Sequence, residues 1–253
     1  MTHTFRAATF GAAVAFLALT APAQAFDITD MSDAERSALR DEIRAYLLDN
    51  PEVIMEAVAI LEQRQAEAQA MGDVELVRAN RDALLNDGQS WIGGNPDGDV
   101  TLVEFTDYRC GFCRRAHPEV EQLLEADGNI RFIIKEFPIL GEESVLSSRF
   151  AIAVKQIAGD DAYKAAHDML ISFRGNITPE TLERMAGELD LDAGAIMARM
   201  TSDEVTQVIA ANHALAGRLQ ISGTPTFVLE DQLLRGYMPL ADMQRLVAEA
   251  RED

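Results

Sequence analysis

Cys110-Gly111-Phe112-Cys113 carries the two cysteines of this 253-residue sequence. Before it runs Val100 to Phe105 (VTLVEF), a strand-like apolar stretch; after it, Arg114 to Ala126 reads as a helix. A thiol at a helix N-terminus faces unpaired backbone N–H groups and the positive end of the macrodipole, which favour thiolate over thiol. Such surroundings bring a cysteine pKa from about 8.5 down to roughly 3.5–7.5. Cys110 is therefore expected to be a nucleophile near neutral pH. Cys113, one turn deeper on the same face, is placed to close a disulfide or to resolve a mixed one. Strand, CxxC and helix in this order read as a redox site.

Three other readings compete. A structural staple gains little, because so small a loop barely constrains the unfolded chain. A metal site formed by Cys110, Cys113 and His117 has three ligands on one helix face and leaves a tetrahedron open. Inert buried thiols fit poorly with a position at a helix start.

The ends of the chain bear on the compartment. Arg6 precedes an apolar run from Ala7 to Leu19, and Ala23-Gln24-Ala25 follows. This is the pattern of a cleavable secretory signal peptide over residues 1–25, since the run is shorter than the roughly 20 apolar residues a membrane span needs. The mature chain is expected to begin at Phe26 and to be exported to the periplasm, where disulfides persist. The formal net charge is −20, and removing the leader, with Arg6 and no acid, makes it one unit more negative. So acidic a chain repels phosphate backbones, which disfavours nucleic-acid binding.

Residues 26–88 read as a helical extension. Ser32-Asp33-Ala34-Glu35 is a capping box that opens a helix, with Leu39, Ile43 and Leu47 as its stripe. Asn50-Pro51 is expected to open a second helix as N-cap and first helical residue. Its stripe is Val53, Ile54, Ala57, Val58 and Leu61, and Gly72 marks an expected break. Helices with one apolar stripe need a partner, either the domain that follows or a second copy of the chain.

Residues 89–253 read as one α/β domain. Gly93 to Gly98 (GGNPDG) is a cluster of turn formers at its entrance. Glu104 interrupts the apolar strand six residues before Cys110. Buried carboxylates have a partner or a purpose: either a proton relay near Cys113, with its pKa raised by burial, or an ion pair with Lys135. Arg114 and Arg115 read as solvated, and His117 as a partly exposed helix residue. Pro118 falls inside the helix. Asn129 to Phe137 is the next strand, and a helical insertion covers about 142–220, in which His167 stands isolated, as does His213. Strand character returns in Gly223-Thr224-Pro225-Thr226-Phe227, where Pro225 is a candidate for a cis bond. A turn at Asp231-Gln232 and a closing helix from Pro239 complete a thioredoxin fold with a helical insertion.

Glu104 with the CGFC pair, Pro118 five residues after Cys113, and the Gly223-Thr224-Pro225-Thr226 segment together resemble the DsbA-like thiol–disulfide oxidoreductases. Leu47 to Glu52 (LLDNPE) resembles the helical appendage of their ScsC-type subgroup, some of whose members oligomerise through it. The resemblance implies that Cys110 attacks, Cys113 resolves and Glu104 relays protons to or from Cys113. It implies that Thr224 and cis-Pro225 border the substrate groove beside Gly111 and Phe112. The implied partners are cysteine-containing exported proteins and a membrane redox partner, with no cofactor and with residues 26–88 as a candidate homo-oligomer contact. One departure matters: Gly-Phe is not the Pro-His of the strongly oxidising DsbA enzymes and is closer to the Gly-Tyr of the isomerase DsbC. That tilts the expectation towards isomerase or reductase, with a disulfide-donor oxidase as the alternative. A copper or zinc binder, or a holdase, is the alternative outside redox chemistry.

Overall fold

The structure, a computed structural model, describes residues 28–252. The leader pattern and its cleavage motif lie outside the described residues. The chain forms two compact units that divide between Ile60 and Leu61.

In the first unit a 3-10 turn (Ile28–Asp30) precedes α1 (Asp33–Asp49), which opens on the expected capping box. The Glu35 carboxylate accepts the Ser32 backbone N–H at 2.8 Å, and the Ser32 hydroxyl accepts the Glu35 N–H at 3.3 Å. Asn50 does not act as N-cap of the second helix. It closes the first, its backbone and side-chain N–H groups both donating to the Tyr46 carbonyl at 2.9 Å. The second helix, α2 (Glu52–Ala79), runs through Gly72 without the expected break. One glycine costs a helix only about 1 kcal/mol relative to alanine, and strong helix formers flank this one. No residue of α1 is buried. On the predicted stripes Ile43, Ile54, Val58 and Leu61 keep 41–55% of their surface.

The second unit begins within α2. Val77 is buried in its core, as is Leu84 of the short α3 (Arg81–Leu85). Asp73 takes a two-bond grip from the Arg235 guanidinium, at 2.5 and 2.9 Å. The sheet has five strands, β1 (Trp91–Gly94), β2 (Val100–Thr106), β3 (Ile130–Glu136), β4 (Thr226–Leu229) and β5 (Gln232–Arg235), in the order β1-β3-β2-β4-β5. Only β2 and β3 run parallel; β1, β4 and β5 are antiparallel to their neighbours.

β1 corrects the sequence reading, which made Gly93-Gly94 a turn. Gly93 pairs with Phe132 in the register of the sheet. A Cβ there would lie 1.9 Å from the Trp91 ring, so the glycine makes room for Trp91 rather than turning the chain. The hairpin turn is at Glu230-Asp231, one residue earlier than expected, with Glu230 at φ 49°.

The pleat sorts the central strands onto two faces. Val100 and Leu102 of β2, with Ile130, Phe132 and Ile134 of β3, face α4 (Gly111–Asp127) and the helical insertion. Val103, Phe105 and Ile133 face α3 and, on the other side, Leu215, Ala216 and Leu219. The insertion comprises α5 (Glu142–Ala158), α6 (Asp160–Ser172), α7 (Pro179–Glu188), α8 (Ala193–Met200) and α9 (Asp203–Arg218); α10 (Leu240–Ala250) packs beside α4.

Candidate active site

Cys110 is the N-cap of α4, and the helix starts with Gly111. The Cys110 side chain does not cap the helix; its thiol donates instead to the Thr224 carbonyl at 3.1 Å. The Thr224-Pro225 bond is cis, and the segment that the sequence left unplaced lies against Cys110. Pro225 is fixed in turn by its carbonyl, which accepts the Gly236 N–H at 2.9 Å.

The two thiols differ sharply. Cys110 is 6% exposed and Cys113 fully buried. A hydrogen bond from the Cys113 thiol lowers the Cys110 pKa to about 5, against the cost of burial; Thr224 and the backbone N–H groups of Cys113 and Phe112 add to the lowering. Burial drives Cys113 the opposite way, reinforced by its bond to the Cys110 sulfur and by the charge of Glu104. One sulfur is thus held as thiolate and the other as thiol.

Glu104 sits on β2, in phase with Val100 and Leu102, and therefore on the face that carries Cys113. It is 4% exposed, and burial raises its pKa to about 7; Thr106 and the His117 ring pull it down, while Cys110 and Glu136 push it up. The alternative pairing with Lys135 does not form. Lys135 lies on the other face, fully buried, and its ammonium donates to the Ala83 carbonyl at 2.9 Å and to Asp87 at 2.7 Å.

Phe112, two residues after Cys110, is 59% exposed. Its ring stacks on Tyr237 at 6.4 Å between centroids, and the Arg115 guanidinium lies 4.2 Å from the same Tyr237 ring. Arg114 donates to the Tyr108 carbonyl at 2.9 Å. Arg114 is thus half-buried in the wall of the site rather than solvated, while Arg115 is exposed, as expected, and lies over the Tyr237 ring.

Several residues that the sequence reading passed over shape its floor. Asp107, fully buried, accepts from the backbone of Arg109, Ile139 and Leu140 and from the Ser144 hydroxyl, which sets the loop that delivers Cys110. Beneath lies a buried polar network. Tyr108 and Tyr163 both donate to Glu136 Oε1, at 2.7 and 2.6 Å, and the Tyr108 hydroxyl also meets His167 Nδ1 at 3.0 Å. Burial raises Glu136 to about 7 and lowers His167 to about 3, leaving that imidazole neutral. His167 is therefore not isolated. Glu136 interrupts an apolar strand just as Glu104 does, and that signal was available in the sequence. His117 turns to Asp168, with Nε2 3.2 Å from the carboxylate, so the three-ligand set of Cys110, Cys113 and His117 does not assemble.

A profile described as Thioredoxin matches residues 86–249, and one described as Copper resistance protein ScsC N-terminal domain matches residues 35–68. The chain belongs to the thioredoxin family, in its DsbA-like, ScsC-type branch. A thioredoxin-like oxidoreductase from Silicibacter pomeroyi is 42% identical, with a TM-score of 0.65 over 69% of this chain and 99% of that one. The catalytic domain of Proteus mirabilis ScsC is 27% identical, with a TM-score of 0.65 over 71% of this chain and 99% of that one. A periplasmic thioredoxin-like protein from Salmonella enterica serovar Typhimurium is 26% identical, with a TM-score of 0.61 over 68% and 96%. Among curated relatives, the Na(+)/H(+) antiporter NhaA 1 of Salinispora arenicola is 28% identical over 160 residues, 63% of this chain. The chain spans about a quarter of the length of such relatives, 24% of that one, and among the described residues no helix is long and apolar enough to cross a membrane. This ScsC-type chain accordingly has the thioredoxin fold, and is similar over that domain to a thioredoxin-like oxidoreductase.

Proposed function

We propose that the chain is an exported, periplasmic thiol–disulfide oxidoreductase acting on the cysteines of envelope proteins, with Cys110 as nucleophile, Cys113 as resolving thiol and Glu104 as proton relay. The observation that carries this reading is the split between the thiols: Cys110 at the start of α4, favoured as thiolate by the hydrogen bond from Cys113, and Cys113 buried as thiol on the face of Glu104.

The Cys110 thiolate attacks one sulfur of a substrate disulfide and expels the other as thiolate. If another substrate thiolate then attacks the mixed disulfide, Cys110 is released as thiolate and the substrate pairing has changed, with no net oxidation. If Cys113 attacks instead, its proton passes to ionised Glu104, the substrate leaves as thiolate, and Cys110–Cys113 is left as a disulfide. A reduced membrane redox partner then restores the two thiols. A relay with pKa about 7 accepts and returns a proton near neutral pH. Thr224 and Pro225 on one side and Gly111 and Phe112 on the other border the groove, where an extended polypeptide is held through its backbone.

Gly111-Phe112, Thr224 and the exposed stripes of α1 and α2 favour isomerase or reductase. Two or more sites joined through those helices offer one substrate several thiols at high effective concentration. A disulfide-donor oxidase has one observation in its favour. The Cys110 pKa of about 5 falls between the roughly 7 of thioredoxin and the roughly 3.5 of the strong oxidant DsbA. The deciding measurement is the redox equilibrium of the pair against glutathione, alongside repair of a scrambled disulfide substrate. Efficient repair at a moderately reducing potential establishes the isomerase. A strongly oxidising potential without repair establishes the oxidase. Failure of the pair to cycle at all removes the redox reading.

A further inference from the structure

Among the described residues a second set of ligating groups converges beside the thiols: His117 on α4, with His167 and Asp168 on α6, their ligand atoms within 4.8 Å of one another. We propose that these three side chains bind a divalent transition-metal cation of the zinc type, at a site separate from Cys110 and Cys113.

The hydrogen bonds fix which atom of His167 is offered. Tyr108 has one hydroxyl proton, which it donates to Glu136 Oε1 at 2.7 Å. Towards His167 Nδ1, 3.0 Å away, the same hydroxyl is then the acceptor, so Nδ1 carries the ring proton. Nε2 is left with the lone pair, the form in which imidazole ligates a metal. Behind it stands a carboxylate held by two tyrosines, Tyr108 and Tyr163. Metal-bound histidines are commonly oriented by such outer-shell support, which sets tautomer and ring direction. In front, His117 and Asp168 already approach to 3.2 Å, and their side chains keep 18% and 42% exposure, which gives a cation a way in. Two imidazoles and one carboxylate suit zinc, and a tetrahedral ion would keep one position for water.

One group opposes the cation. The Lys164 ammonium donates to both Asp168 oxygens, at 2.8 and 2.7 Å. A metal must displace it, and Lys164 has somewhere to go: Glu121 lies 3.2 Å from the same nitrogen. The lysine therefore sets the affinity without abolishing it.

The test uses the full chain in its oxidised form, where the Cys110–Cys113 disulfide removes competing thiolates, titrated with Zn2+ in a calorimeter. One equivalent is expected to bind. His117→Gln and Asp168→Asn are each expected to weaken binding at least about ten-fold, the lower end of what altered metal-site support costs. Lys164→Met is expected to tighten it. Co2+ in place of Zn2+ should give the visible absorption of a tetrahedral site, lost in the His117 variant. Circular dichroism confirms that each variant is folded. Zinc binding that is indifferent to both His117→Gln and Asp168→Asn overturns the proposal, as does the lack of saturable binding in the oxidised chain, or weaker binding in Lys164→Met.

Discussion

At the scale of single residues the site depends on two groups held in unequal protonation states. The Cys110 thiolate owes its stability first to the hydrogen bond from Cys113. Ultraviolet thiolate absorbance of the reduced chain is therefore expected to titrate with a midpoint near 5. Cys113→Ala should move that midpoint upward, because a donor is lost while the helix terminus remains. A midpoint unchanged by the substitution would assign the stabilisation to the backbone alone. Glu104 runs the other way. Its pKa rises from 4.5, the ordinary value of a glutamate side chain, to about 7, so the folded chain keeps a proton that the unfolded chain releases. Below 4.5 both states hold it and nothing is lost. Between 4.5 and 7 stability falls as pH rises, and above 7 the loss levels off at about 3 kcal/mol, taking about 1.36 kcal/mol for each tenfold step in acidity. Glu136, raised to about 7 as well, adds a parallel loss, so Glu104→Gln should remove only the Glu104 share of the slope and be the more stable protein at about pH 8, measured by urea unfolding across the range. A variant as pH-sensitive as the parent would mean that Glu104 is not the group responsible.

At the scale of elements, what was legible depended on whether a pattern had one physical cause. β2 and β3 are apolar because both faces are covered, and α4 starts where the CxxC pair said a helix should. The same two-residue alternation also settles the partner of Glu104, since it shares phase with Leu102 while Lys135 shares phase with Ile133. β1 was hidden because glycine serves two ends, freeing a turn or clearing space for a neighbour, and Gly93 does the second. Its Cβ position is filled by Trp91, which stacks on Tyr163 at 5.8 Å and meets Phe132 edge-on at 6.2 Å. Gly93→Ala should therefore destabilise the fold by about 1–3 kcal/mol, the usual range for overpacking, with a change in Trp91 fluorescence that reports the displaced ring. Gly72→Ala, within α2 and with nothing within 4 Å of its added Cβ, should be neutral or stabilising. Equal effects at the two positions would refute the packing argument. The polar network of Tyr108, Glu136, Tyr163 and His167 was illegible for another reason: its members are scattered along the chain, and no local period connects them.

For the whole molecule, two opposed features govern how copies meet. Each chain has a formal net charge of −20, which drives copies apart. Each also keeps Ile43, Ile54, Val58 and Leu61 half in water on α1 and α2, which draws copies together. The balance between them depends on ionic strength, because the Debye length falls from about 30 Å at 0.01 M to about 8 Å at 0.15 M. Association through the stripes is therefore expected to strengthen as salt is added, whereas an assembly held by ion pairs would weaken. Light scattering of the full chain across that salt range distinguishes the two. The double substitution Ile54→Glu and Val58→Glu should give a monomer at every salt concentration while leaving the Cys110 titration near 5, since the thiols belong to the other compact unit. An assembly that survives the double substitution would place the contact elsewhere. An assembly that dissolves on adding salt would make it electrostatic, and the apolar stripes would then need another occupant. If the monomeric variant also loses repair of scrambled substrate but still cycles with glutathione, shuffling requires several sites on one particle, and the chemistry of a single Cys110–Cys113 pair is not sufficient for it.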